Sequence, residues 1–200
     1  MPGFNLLQNF RSKIAKEEGI NNMPGVDIEI DPTLTYDFIV NNLIRLHQKC
    51  ITPLTEAFGM DDIGITSAYR CKELNEHPKI DGVEDSQHTK GYAIDIISVN
   101  HPTSIIFNWA IHNLPEYYQI IWEYPEQGQF NNPNNLSPSW VHIAITDALN
   151  QPKIKSIATA REDVHEEYKN NQDYHLSTKP PIRSLNYTHN ISKADNSLFI

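Results

Sequence analysis

Apolar residues recur at helical spacing near the start of the chain. Phe4, Leu7, Phe10 and Ile14 predict a short helix over residues 4–18. Residues 20–31 hold Asn, Pro and Gly breakers and predict irregular backbone. The strongest helical pattern covers residues 33–58, where Phe38, Leu43, Leu46, Ile51 and Leu54 supply most of an apolar face. Asp31, Pro32 and Thr33 are start signals, Pro53 should kink or divide the helix, and Gly59 should end it. The pattern then shortens. Residues 63–68 are β-branched and read as a strand, 71–76 as a helical turn, and 78–85 as a polar loop. Strands are expected over 92–97, 118–124 and 140–146, and a helix with proline at its start over 102–114. A loop rich in Asn and Pro spans 128–137. Beyond residue 150 the pattern fades, and only 162–168 has the makings of a marginal helix. The chain thus divides into an N-terminal helical extension (1–29), a domain (30–150) and a polar, partly disordered tail (151–200).

Strand faces give the pattern a chemical content. In 92–97, Ala93 and Asp95 share one face while Tyr92, Ile94 and Ile96 share the other. In 140–145, Trp140, His142 and Ala144 share a face opposite Val141, Ile143 and Ile145. Each strand therefore has an apolar side for a core, and a side on which a candidate ligand stands beside a small alanine that leaves room for an ion and a substrate. Gln119, Ile121 and Glu123 share a third face, and a carboxylate in so apolar a strand is costly to bury unless paired or functional.

His88 precedes Asp95 by seven positions. On a helix that spacing would separate them by roughly 10 Å, and on a straight strand it would send them to opposite faces. The chain must turn between them, and Gly91 allows it. Two histidines and one carboxylate make the ligand set of an open catalytic zinc site. Taken singly, His142 reads first as a satisfied core or surface histidine, and Asp95 and Gly91 could be a strand-end carboxylate and an ordinary turn. The other seven histidines have no comparable setting.

Charge narrows the classes of function. The 200 residues carry a formal net charge of −9, which lacks the basic footprint of a nucleic-acid binder or a polybasic membrane anchor. No apolar run approaches the length of a membrane span, and no basic-then-apolar leader opens the sequence. Synthesis in the cytoplasm is expected. The two cysteines, Cys50 and Cys71, are expected to be reduced thiols.

The run Ser86-x-His88-x-x-Gly91-x-Ala93-x-Asp95 resembles the Ser-x-His-x-x-Gly-x-Ala-x-Asp signature of the M15 zinc peptidases. These are the D-alanyl-D-alanine carboxypeptidases, dipeptidases and phage endolysins of the hedgehog/DD-peptidase fold. Thr66-Ser67-Ala68-Tyr69-Arg70 with Glu73-Leu74-Asn75 is similar to the family's Ser-Gly-Tyr-Arg and Leu-Asn segment. Ile121-x-Glu123 and Trp140-x-His142 are similar to the last strands of one subfamily. The resemblance spans residues 30–147.

It implies an α+β fold in which a small, mainly antiparallel sheet packs with helices. It also implies a zinc metallopeptidase that hydrolyses amide bonds in peptidoglycan stem or crosslink peptides, as a carboxypeptidase or endopeptidase. By the same resemblance His88, Asp95 and His142 bind Zn2+, Arg70 holds a substrate carboxylate or polarised carbonyl, and Ser86 hydrogen-bonds substrate. Peptidoglycan peptides are then the partners of a monomer that binds no nucleic acid and inserts in no membrane, either a cytosolic enzyme or a phage protein acting on a host wall. Two positions depart from the family's pattern. Ser139 stands where many members place the catalytic carboxylate, so Glu123, on the neighbouring strand, is the candidate general base. Ala68 stands in place of a glycine. The alternative reading is a non-catalytic, zinc-containing module that binds cell-wall peptide, or a phage structural component. The loops 78–85 and 128–137 are expected to shape the substrate groove.

Overall fold

The computed structural model describes residues 9–127, 136–146 and 154–158. The element order is α1 (Lys13–Glu18), α2 (Tyr36–Leu46), a π-helical turn (His47–Ile51), α3 (Thr52–Phe58), β1 (Ile63–Ser67), α4 (Lys72–Asn75), a 3-10 turn (Gln87–Lys90), β2 (Ala93–Ser98), α5 (Thr103–Asn113), β3 (Gln119–Gln127), β4 (Leu136–Ala144) and β5 (Ile154–Ala158). The five strands form one sheet in the order β1-β2-β4-β3-β5, antiparallel except for the parallel β3–β5 pair. The expected α+β architecture is the one observed.

The helical pattern of residues 33–58 resolves into three pieces for a local reason. Thr35 caps α2 by accepting from the Phe38 N–H. Pro53 has no N–H and its ring would crowd the carbonyl four residues back, so a straight α-helix cannot run through it. The π turn absorbs this: the Thr52 N–H reaches the His47 carbonyl, five residues back. Gly59 ends α3, at φ 88°.

One face of the sheet carries the core. Ile94, Ile143 and Ile120 stand side by side across β2, β4 and β3, and all three are fully buried. They join Ile96, Val141, Leu43 and Leu46 of α2, and Ile106 and Ala110 of α5, in a single cluster. Each such aliphatic side chain contributes about 1.5–3 kcal/mol on burial. That cluster fixes the sheet, and with it the opposite face, where Asp95 and His142 stand.

Three expectations change. Residues 9–29 pack onto the domain rather than extending from it: the Asn22 amide donates to the Phe10 and Tyr69 carbonyls and accepts from the Cys71 N–H, and Asp27 accepts from the Lys72 N–H. Residues 154–158, expected in a patternless tail, add the parallel strand β5. Ala93 and Ala144 are fully buried packing positions and do not line the open cleft. The expected helix at 162–168 and the stretch 159–200 lie outside the described residues, as do residues 128–135 of the expected loop 128–137. Among the described residues no helix is long and apolar enough to cross a membrane. Cys50 and Cys71 are free and buried.

Candidate metal centre

The sheet register brings two of the predicted ligands together directly. Asp95 of β2 lies opposite His142 of β4, and His142 lies opposite Ile121 of β3. Directly opposed residues share a face, so the period-two reading of both strands holds.

His88 arrives by another route. It sits on the 3-10 turn, whose last residue is followed by Gly91 at φ 69°. A Cβ there would lie 2.7 Å from the Ile39 carbonyl oxygen of α2. Both the left-handed backbone and the close approach of α2 therefore require glycine. The bend turns the chain into β2 so that His88 faces back over Asp95.

The inward atoms converge tightly. His142 Nδ1 lies 2.9 Å from Asp95 Oδ1 and 3.2 Å from His88 Nε2, and His88 Nε2 lies 3.3 Å from Asp95 Oδ1. The outward nitrogens are committed elsewhere. His88 Nδ1 donates to the Ala68 carbonyl at 2.5 Å, and His142 Nε2 donates to Gln87 Oε1 at 3.2 Å. Carbonyl oxygens only accept, so these bonds put the ring protons on the outside. With the protons there, His88 Nε2 and His142 Nδ1 turn lone pairs toward Asp95 Oδ1, an arrangement that a cation among them would hold; without a cation, the 2.9 Å contact suits an Nδ1–H of His142 donating to Asp95. The ionisation states agree. Burial lowers the His88 pKa and keeps its imidazole neutral. Burial would raise the Asp95 carboxyl, but charge on His88 and His142 and the hydrogen bonds they can donate to it outweigh burial and hold the group well below the usual carboxylate range; with both rings neutral and their protons outside, a bound cation would take over that role. Neutral imidazole and ionised carboxylate are the forms that bind metal. Among the described residues, His88, Asp95 and His142 are the group able to hold a metal ion.

The centre opens onto a cleft of 520 Å³, within the range of small-ligand sites. All six sequence candidates line it: Arg70, Ser86, His88, Asp95, Glu123 and His142. Arg70 follows β1, and its Nε is buried without a hydrogen-bond partner. Burial lowers its pKa while the charges of Asp95 and Glu123 act the other way. Glu123 stands opposite Trp140 on the site face. Burial pushes its carboxyl up to about 7; Asp95 adds to the rise, and His142 and Arg70 oppose it. Ala68 is not among the residues with positive φ, so its substitution for glycine strains nothing.

The far wall is the loop 78–85, which contributes Ile80, Gly82, Val83 and Asp85. Asn75 holds it by accepting from the Gly82 N–H through its carbonyl and donating to the Val83 carbonyl through its amide. Sequence reasoning missed Gln87. Its only signal is its place inside the signature, between Ser86 and His88.

A family model described as Peptidase M15 matches residues 16–123, more than half of the chain. The matched stretch contains Arg70, His88, Asp95 and Glu123 and stops short of His142. No curated protein and no solved structure matches the sequence. With its signature on the 3-10 turn and β2, and its acceptors converging across β2 and β4, the chain belongs to the M15 peptidase family.

Proposed function

We propose that this peptidase is a zinc enzyme that hydrolyses amide bonds in the stem or crosslink peptides of peptidoglycan. The observation that carries the reading is the convergence of His88 Nε2, Asp95 Oδ1 and His142 Nδ1, with the outer nitrogen of each ring facing a carbonyl oxygen. The spacing fits zinc: bonds of 2.0–2.1 Å in a tetrahedron imply ligand–ligand edges of about 3.3 Å, against 2.9, 3.2 and 3.3 Å here. The signature's resemblance to cell-wall peptidases supports the substrate class. A half-buried guanidinium beside the centre, its Nε fully covered, suits a peptide carboxylate or a polarised carbonyl.

Zinc held by His88, Asp95 and His142 would supply Lewis acidity toward water and the scissile carbonyl. Glu123 accepts the proton of the attacking water and returns it to the leaving amine. Arg70 binds a substrate oxygen that gains negative charge as the carbonyl is attacked. Ser86, buried in the cleft wall, hydrogen-bonds the peptide.

Mass spectrometry of muropeptides incubated with zinc-loaded protein reports both turnover and the bond cut. Cleavage by the wild type is expected. His88→Ala should abolish zinc uptake and cleavage together, and an unchanged rate in that variant overturns the reading. The non-catalytic alternative is favoured by Ser139 at the position of the usual carboxylate. A wild type that takes up zinc and binds muropeptides without cutting them would establish it.

A further inference from the structure

We infer that Gln87 is the positioning residue for His142: its side-chain oxygen fixes which imidazole nitrogen is the metal ligand. The inference rests on the zinc reading above. A neutral imidazole carries one N–H, so His142 can present the Nδ1 lone pair inward only if the proton sits on Nε2. Asp95 Oδ1 and His88 Nε2 both face Nδ1, and the contact made by Nε2 is with Gln87 Oε1 at 3.2 Å.

Gln87 is itself held. Its carbonyl accepts from the Tyr92 N–H and from the Gly91 N–H that closes the turn. The same four-residue turn therefore carries one ligand, His88, and the partner that orients the other histidine ligand. His88 has a matching arrangement, with the Ala68 carbonyl on its outer nitrogen. The two histidines differ in that a backbone carbonyl cannot be mutated away, whereas Gln87 can. Outer partners of this kind govern metal affinity by 10–100-fold.

The test is zinc affinity, measured by competition with a chromophoric chelator on wild type, Gln87→Leu and Gln87→Glu. Imidazole 15N NMR of the zinc-loaded proteins reads the proton on His142. Gln87→Leu keeps the bulk and removes the acceptor; it should bind zinc about 10–100-fold more weakly and lose the defined His142 Nε2–H signal. Gln87→Glu restores an acceptor at the same reach and should recover most of the affinity. Wild-type affinity in Gln87→Leu overturns the inference. So does equal weakening in both variants, since that loss would not follow the acceptor. A wild type that takes up no zinc overturns the zinc reading itself and the inference with it, so the two failures are told apart.

Discussion

On the proposed function, Glu123 is the general base, and its ionisation would govern turnover. It is the carboxylate that β3 places on the site face, and burial carries its carboxyl to about 7. A divalent cation at the neighbouring candidate ligands would bring that value down, which would favour the ionised form of the proposed base at neutral pH. Glu123→Gln keeps the shape and removes the proton acceptor. Muropeptide hydrolysis should fall by about 10²–10⁴-fold with zinc affinity unchanged, as measured by chelator competition beside the turnover assay. In wild type, kcat/KM should rise with pH through an acid limb below 7, and the variant should lack that limb. At this scale the sequence was legible wherever chemistry demands a residue type. Metal ligands are drawn from few residue types, His, Cys, Asp and Glu, and a left-handed bend tight against a helix needs Gly, so His88, Asp95, His142 and Gly91 stand out as candidates. Gln87 does not, because an amide acceptor resembles any polar surface residue until the ring it serves is seen.

Strands and helices were legible through their periods. Ile94 and Ile96 alternate with Asp95, and Val141 and Ile143 alternate with His142, because one face of each strand is core and the other is cleft. What stayed hidden is held by polar contacts that have no period. Asn22 and Asp27 tie an irregular segment to backbone groups near α4, so in sequence residues 20–31 show only their breakers and not that anchoring. Asp62 acts similarly where β2 turns into α5. It accepts from the Ser98 hydroxyl at 2.8 Å, the Asn100 N–H at 2.6 Å and the His101 ring at 3.1 Å. Burial would raise its carboxyl, but these donors outweigh burial and hold it below its ordinary 3.8. A depressed folded-state pKa adds stability above the unfolded value and loses it as pH falls through the folded one. Asp62→Asn should therefore cost about 2 kcal/mol near neutrality. The gap to wild type should close as pH drops below about 4. Urea titrations at several pH values measure it, and a gap that is constant with pH would refute the assignment.

The whole molecule separates its two tasks by sheet face. The core lies between the sheet and helices α2 and α5, whereas the ligand centre lies on the opposite face beside the 3-10 turn and the loop 78–85. Ile94, Ile143 and Ile120 need no metal to stay buried, so the fold should outlast its loss. The three candidate ligands come from the 3-10 turn, β2 and β4, and a bound ion would tie those elements together. That linkage adds RT ln(1 + [L]/Kd), about 2.7 kcal/mol at a hundredfold excess over Kd. For a chain of this size it corresponds to a rise in Tm of roughly 5–10 °C. Zinc added to stripped protein should produce that rise, EDTA should reverse it, and far-UV circular dichroism at 25 °C should be the same in both states. His142→Ala should remain folded and show no zinc-dependent rise. Unfolding of the wild type on chelation would make the metal structural and join the two faces into one cooperative unit. An unshifted Tm in saturating zinc would mean that no ion binds at the centre.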